Sequence, residues 1–301
     1  YLRQLGVHTI LGGEFEQGLA DLMTTLRDGQ PVPGLPSVSL MRQQFQRPSR
    51  LHLPPLTEYA YLDTPDGKRI VGYTETTRGC KHLCRHCPIV PAYNGRFRIV
   101  QPEVVLAAIR QQVAAGAQHT TFGDPAFLNG PGHALPLVQA LHAEFPGLTY
   151  DVTIKIEHLQ KHAGALPLLR DTGCAFVVSA VEAVDDAILA TLDKGHSRAD
   201  FIQVARRMRQ LGLPLTPTFV TFTPWTTLLG YADFLALMAE LDLVDAINPI
   251  QYAIRLLIPQ GSRLLELAEV RQIVGPFDLG ALVFPWQHPD PAVDRLYETV
   301  F

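Results

Sequence analysis

Two periodicities alternate along most of this chain. From about Lys68, short apolar runs rich in β-branched residues are each followed by a stretch whose apolar positions recur every three or four residues. The first pattern reads as strands and the second as helices. Strands are predicted at 69–75, 118–122, 149–156, 175–181, 215–222 and 246–254. Helices are predicted at 102–115, 133–144, 158–170, 185–192, 198–211 and 227–241. Pro102 opens the first helix and Gly116 stops it, while Ser197 is placed to cap the fifth. The run at 175–181 is apolar at nearly every position, as in a parallel strand covered on both sides. This rhythm predicts an α/β fold, a partial (β/α)6 TIM-like barrel.

Residues 1–68 break the rhythm. A strand is expected at 7–11, then Gly12-Gly13-Glu14-Phe15-Glu16, then helical spacing through Leu19, Leu22, Met23 and Leu26. Pro31, Pro33, Gly34 and Pro36 end that helix and open a loop-rich crossing to about Leu62. Three regions follow: a unit at 1–68 that resembles a Rossmann-like remnant with a linker, a core at 69–265 and a C-terminal extension at 266–301. The chain opens on Tyr1 and stops at Phe301, and further segments are expected beyond both ends.

At 301 residues and 47% hydrophobic, the chain can bury a substantial core. The net charge of −4 supplies no general basic field for nucleic acid. The basic residues Lys81, Arg85, Arg96 and Arg98 form a local patch, suited to an anionic cofactor or a reductant protein. No apolar run reaches the roughly 18–20 residues that span a bilayer, so no membrane partner is expected. No signal peptide is read at the start, and sparse, crowded cysteines point to a reducing cytoplasm.

Three of the four cysteines, Cys80, Cys84 and Cys87, fall within eight residues in a C-x3-C-x2-C pattern. Such spacing lets three thiolates grip one [4Fe–4S] cube. A cluster used only for electron transfer takes four cysteine ligands. Three ligands leave one iron with an open position for a small molecule. Two other readings remain: a zinc module with His82 or His86 as fourth ligand, and an iron–sulfur electron carrier. Cys174 stands alone in an apolar run and reads as a buried small hydrophobe.

In parallel α/β architectures the chemistry gathers at the carboxyl ends of the strands. The cysteine loop, Gly123-Asp124-Pro125, Lys155 with Glu157, Ser179 with Glu182, Thr221 with Thr223 and Trp225, and Gln251 with Tyr252 and Arg255 all fall there. Asp124, Lys155, Glu157, Glu182 and Arg255 are the candidates for holding cofactor and substrate, with Lys155, Glu157 and Arg255 closest to catalysis.

Thr77-Arg78-Gly79-Cys80 and the cysteine spacing resemble the signature of the radical S-adenosylmethionine (SAM) superfamily. The resemblance implies that Cys80, Cys84 and Cys87 hold the cluster and that the amino and carboxylate groups of SAM chelate its open iron. It places His86 where the family has an aromatic residue near SAM. The stretch Phe122-Gly123-Asp124 is similar to the family's "GGE" strand end, with Phe122 for the first Gly and Asp124 for Glu. Ser179 to Ala183 is similar to its "G-x-E-S" strand end, which carries Glu182, with Ser179 and Ala183 replacing Gly and Ser. Asp193-Lys194-Gly195-His196 resembles "N-K-G-H", where Lys194 would pair with the SAM carboxylate; Thr221 joins the cofactor-binding set. The N-terminal unit resembles the closing piece of a cobalamin-type domain, but its D-x-H-x-x-G motif is absent and cobalamin is not expected.

The wording of the core, including KIEHL, LDKGH and FTPWTT, resembles a subgroup with cysteine-rich C-terminal tails. One of its types forms a carbon–arsenic bond in arsinothricin biosynthesis. The resemblance implies cleavage of SAM and, more specifically, transfer of its 3-amino-3-carboxypropyl group to trivalent arsenic. Hydrogen abstraction by a 5′-deoxyadenosyl radical from a small molecule is the alternative. A flavodoxin or ferredoxin is the implied reductant.

Overall fold

The computed structural model describes residues 2–32 and 38–301. The expected helix stop at Pro33, Gly34 and Pro36 lies outside the described residues. Six strands form the main sheet: β1 (Tyr61–Thr64), β2 (Gly67–Thr74), β3 (His119–Phe122), β4 (Thr149–Thr153), β5 (Cys174–Glu182) and β6 (Leu215–Phe219). Their spatial order is β6-β5-β4-β3-β2-β1. Strands β2 to β6 run parallel, each laid beside its predecessor, and β1 closes the edge as the antiparallel arm of a hairpin with β2. The sheet curls into a half-barrel, the expected fold class. That hairpin carries the sheet across the expected 68/69 boundary.

The two faces of the sheet differ sharply. Phe122, Val152 and Val177 point to one face and are at most 1% exposed. They share a core with Ile109, Leu141, Phe201 and Met238 of the surrounding helices. Burying each large side chain stabilises the fold by about 1.5–3 kcal/mol. Alternate positions point the other way. Tyr73, Thr121, Asp151 and Phe176 are in register across four strands on that inner face. Tyr73 is exposed, and Thr121, Thr153, Phe176 and Val178 are only half-buried. The helices therefore sheathe one face and leave the other open.

The helices of six residues or more are α1 (Glu16–Arg27), α2 (Pro102–Ala114), α3 (Pro131–Glu144), α4 (Ile156–Lys161), α5 (Leu166–Asp171), α6 (Asp186–Leu192), α7 (Arg198–Leu211), α8 (Leu228–Glu240), α9 (Ala268–Ile273) and α10 (Pro291–Val300). Ser197 caps α7 as predicted, in a capping box with Asp200, an arrangement that contributes about 1 kcal/mol.

Several expected elements are corrected. The single helix at 158–170 is two, because Pro167 sits in the first turn of α5 and cannot continue α4. Strand β4 ends at Thr153 and Lys155 becomes the N-cap residue of α4. The strand expected to 222 stops at Phe219. A sixth parallel strand at 246–254 does not form. Asn248 turns its side chain back to the Ile250 amide and Pro249 offers no donor, so the segment winds into short 3-10 turns. One parallel bridge, Phe222 to Arg255, remains. At the N-terminus the strand expected at 7–11 does not form; a two-residue strand follows it at Gly12–Gly13, paired in parallel with Val38–Ser39.

Candidate active site

The cysteine loop leaves the carboxyl end of β2. A two-stranded antiparallel ladder, Thr77–Gly79 against Phe97–Ile99, closes its base. Gly79 has φ +74°, and a Cβ there would lie 2.4 Å from the Tyr93 ring and 2.5 Å from the Arg96 carbonyl. No other residue fits that turn. Asp124, at the end of β3, ties the ladder down: its carboxylate accepts from the Thr76 amide at 2.9 Å, the Thr76 hydroxyl at 2.7 Å and the Thr77 hydroxyl. Burial raises the Asp124 pKa and these bonds pull against that shift. Arg78, one step before Gly79, gathers Glu14, Glu16 and Glu75, clamping the N-terminal unit to the loop.

Cys80 and Cys84 are buried, Cys87 is half-buried, and all three are free thiols. Burial pushes the Cys87 thiol up, and Cys84 and Cys80 add to it. Crowded, desolvated thiols of this kind ionise readily only when metal takes the place of their protons. Among the described residues, no three or more His, Cys, Asp or Glu side chains are grouped to hold one metal ion. A zinc site needs its ligands converging about 2.0–2.3 Å from one point. A cube instead takes each thiolate on a different iron, and the loop fits that donor set.

The neighbouring strand ends place two lysine–glutamate pairs beside the loop. Glu182 ends β5 at φ +73°, an unfavourable region for a non-glycine residue and a common mark of functional sites. Its Oε1 accepts from His86 Nε2 at 2.9 Å and from Lys194 Nζ at 3.2 Å. Burial would raise its pKa, but Lys194 and His86 win and hold it at about 2. The second pair is Lys155 and Glu157, 3.4 Å apart, with Lys155 Nζ also 3.9 Å from Cys84 Sγ.

Several polar atoms in this region are buried with no partner among the described residues: His86 Nδ1, Asn129 Nδ2 and both ring nitrogens of His196. Buried polar groups are normally paired. Such orphans around a cysteine loop are what a bound polar cofactor would satisfy. Ser179 shares the strand face of Val177 and Val181, which pack in the helix-side core, so it does not gather with Glu182. Gly123 is required by close approach, because a Cβ would fall 1.8 Å from the Tyr73 hydroxyl. Phe122 points into the core, so only its backbone can serve the rim. Thr221 reaches the Gln251 and Ile254 carbonyls at 3.3 Å and lines a cavity of about 40 Å³ with Glu182 and Trp225.

Arg255 is not brought to this group. Its guanidinium donates to Asp294 at 2.7 Å and to the Trp286 carbonyl at 3.0 Å, and stacks over the Trp286 ring at 3.8 Å. It fastens the C-terminal extension to the barrel. Sequence reasoning missed Asn129, whose Oδ1 lies 3.9 Å from Cys80 Sγ, and the pair His82 and His158, whose Nε2 atoms are 3.0 Å apart. Burial first, then His82, lowers the His158 pKa to about 4; burial and then Lys194 lower that of His196 to about 4.

The comparisons agree with this geometry. Residues 74–235 match the profile of the radical SAM superfamily. Over 209 residues the chain is 27% identical to a tRNA-2-methylthio-N(6)-dimethylallyladenosine synthase of Desulfosudis oleivorans, an alignment covering 66% of this chain and 44% of that protein. Among solved structures, the apo form of the cobalamin-dependent SAM radical enzyme OxsB superposes with a TM-score of 0.70 at 17% identity, covering 95% of this chain and 49% of that one. The radical SAM methyltransferase TsrM from Kitasatospora setae, with cobalamin and a [4Fe–4S] cluster bound, gives 0.61 at 18% identity, covering 80% of this chain and 50% of that one. This chain spans about half the length of these relatives or less. The three-cysteine loop at the rim of a half-barrel, matched over more than half its length, shows that the chain belongs to the radical SAM superfamily, whose enzymes use a [4Fe–4S] cluster and SAM.

Proposed function

We propose that this chain carries the active site of an enzyme that cleaves SAM reductively and transfers its 3-amino-3-carboxypropyl group to trivalent arsenic, the chemistry of arsinothricin biosynthesis. The observation that carries the reductive-cleavage part is the loop of Cys80, Cys84 and Cys87 set against His86, Glu182 and Lys194. The choice of group and acceptor rests on the resemblance of the core segments to the arsinothricin subgroup. A cluster held by these cysteines would supply one electron to break the Cγ–S bond of SAM, with methylthioadenosine as the leaving group, and would take that electron back as the carbon–arsenic bond forms.

In this reading the residues divide the remaining work. Cys80, Cys84 and Cys87 hold the cluster. The backbone at Phe122 and Gly123 receives the SAM amino group, with Asp124 fixing the rim. Lys194, anchored by Glu182, faces the SAM carboxylate. Glu182 also fixes His86 through Nε2 and leaves Nδ1 to the cofactor. Thr221 serves from just past the end of β6, and Lys155 and Glu157 stand on the cluster side. Sheathing by the helices excludes water from one face, while the open inner face, with Tyr73 and Thr121, admits a small-molecule acceptor. A net charge of −4 favours such an acceptor over tRNA. An acidic flavodoxin or ferredoxin would dock near the exposed Lys81 and Arg96.

The test is product analysis by mass spectrometry after anaerobic reconstitution and addition of dithionite and SAM, with and without arsenite. Methylthioadenosine that increases with arsenite is expected. 5′-Deoxyadenosine instead would overturn the aminocarboxypropyl reading and leave hydrogen abstraction in its place.

A further inference from the structure

The segment Lys155-Ile156-Glu157-His158 packs against the cysteine loop in a way that holding SAM does not explain. Lys155 is 7% exposed and stands as the N-cap residue of α4. Its ammonium has two neighbours: Cys84 Sγ at 3.9 Å and Glu157 Oε2 at 3.4 Å. Glu157 is the more open partner, with 38% of its side chain exposed, and it also leans toward His82 Nδ1 at 3.7 Å. A buried cation thus points at one ligand sulfur and is only partly neutralised by a half-open acid. Lys194 differs, because its charge is closed off by Glu182 at 3.2 Å.

We infer that Lys155 is a positioning residue that sets the reduction potential of the cluster through the Cys84 sulfur. This rests on the proposed function insofar as Cys84 is taken as a cluster ligand. Cluster potentials respond to local charge, to hydrogen bonds on the sulfurs and to exposure. The reduced cluster carries one more negative charge than the oxidised one. A cation and an N–H donor at a ligand sulfur therefore favour the reduced form and raise the potential. Glu157 draws the ammonium toward itself and adds negative charge, so it opposes Lys155.

The experiment is a potentiometric titration of the reconstituted cluster without SAM, followed by the electron paramagnetic resonance signal of the reduced state. The unmodified chain is compared with K155Q, K155R and E157Q, with iron and sulfide content measured for each. At a fixed potential, K155Q is expected to lower the ratio of reduced to oxidised cluster about tenfold, equivalent to about 59 mV for one electron. K155R, which keeps the charge, should change it less than about threefold. E157Q should shift the ratio the opposite way. A lysine that only held the SAM carboxylate would alter SAM affinity and leave the SAM-free midpoint unchanged. That outcome overturns the inference, as does a shift of K155Q and E157Q in the same direction. If K155Q takes up no cluster, E157Q decides: an unchanged or lowered midpoint overturns the inference and a raised one supports it. Absence of any reduced-cluster signal in the unmodified chain removes the proposed function itself, and this inference with it.

Discussion

Lys194 with Glu182 and Lys155 with Glu157 are the same chemical pair at adjacent strand ends, 3.2 and 3.4 Å apart. Their surroundings separate them. The Glu182 side chain is 11% exposed and that of Glu157 is 38%. Glu182 also receives His86, and its pKa falls to about 2; the Glu157 pKa is lowered too, by Lys155 and then His82 against burial. The closed pair is a fixture: neither charge can leave without stranding the other in a dry site. The open pair keeps one partner in reach of water and turns the other toward Cys84. Two identical residue pairs thus divide into one that builds the rim and one that is free to act on the cluster ligand.

Glu182→Ala is the strongest way to break this distinction. It leaves Lys194 buried without its acid and His86 without its acceptor, which costs about 3–5 kcal/mol. At roughly 2–4 °C per kcal/mol for a chain of this size, calorimetry should show a fall in melting temperature of about 6–20 °C. A fall no larger than that of Glu157→Ala would mean that the two pairs are equivalent.

The next effect is in pH dependence. His158 and His196 have folded pKa values of about 4, below the ordinary 6.5. Between these values the unfolded chain binds protons that the folded chain refuses, so stability falls as pH drops from about 6.5 toward 4. Glu182 works lower: its depressed pKa gives stability that is full above about 4.5 and is lost as pH falls through about 2. Denaturant midpoints measured from pH 7 to 4.5 should decline, and His196→Gln should flatten the decline. An unaltered slope would show that His196 is not held neutral.

Glu157→Ala is the smallest expected effect. Water reaches Glu157 and screens its side of the pair, so the loss in denaturant titration should be smaller than that of Glu182→Ala. A loss as large would place the Lys155 pair with the closed one.

What was legible in the chain follows from distance along it. The cysteine pattern lies within eight residues, and the cap Ser197 sits directly before its helix. Both are local and both were readable. Ser179 was not: its strand is apolar on both faces, so alternation gave no sign of which way the hydroxyl points. Arg255 belongs to the rim only if 246–254 is a strand, as the apolar pattern suggests. Asn248 and Pro249 turn that segment, and Asp294, 39 residues on, takes the guanidinium. His82 and His158 are 76 residues apart, and only the fold brings the loop against α4. The sequence marks Lys155 by its place near a strand end, but its contact with Cys84, 71 residues away, exists only in the fold.

The central claim is that Cys80, Cys84 and Cys87 hold one cluster with an open iron. Its most direct test is iron and sulfide analysis with electron paramagnetic resonance of the anaerobically reconstituted, dithionite-reduced chain, recorded before and after adding SAM. The account predicts about four irons and four sulfides per chain, the stoichiometry of a [4Fe–4S] cube. It also predicts a reduced-cluster signal that changes shape when SAM binds, and loss of all three features in the Cys80→Ala, Cys84→Ala, Cys87→Ala variant. A full complement of iron in that variant, or a signal indifferent to SAM, would contradict it.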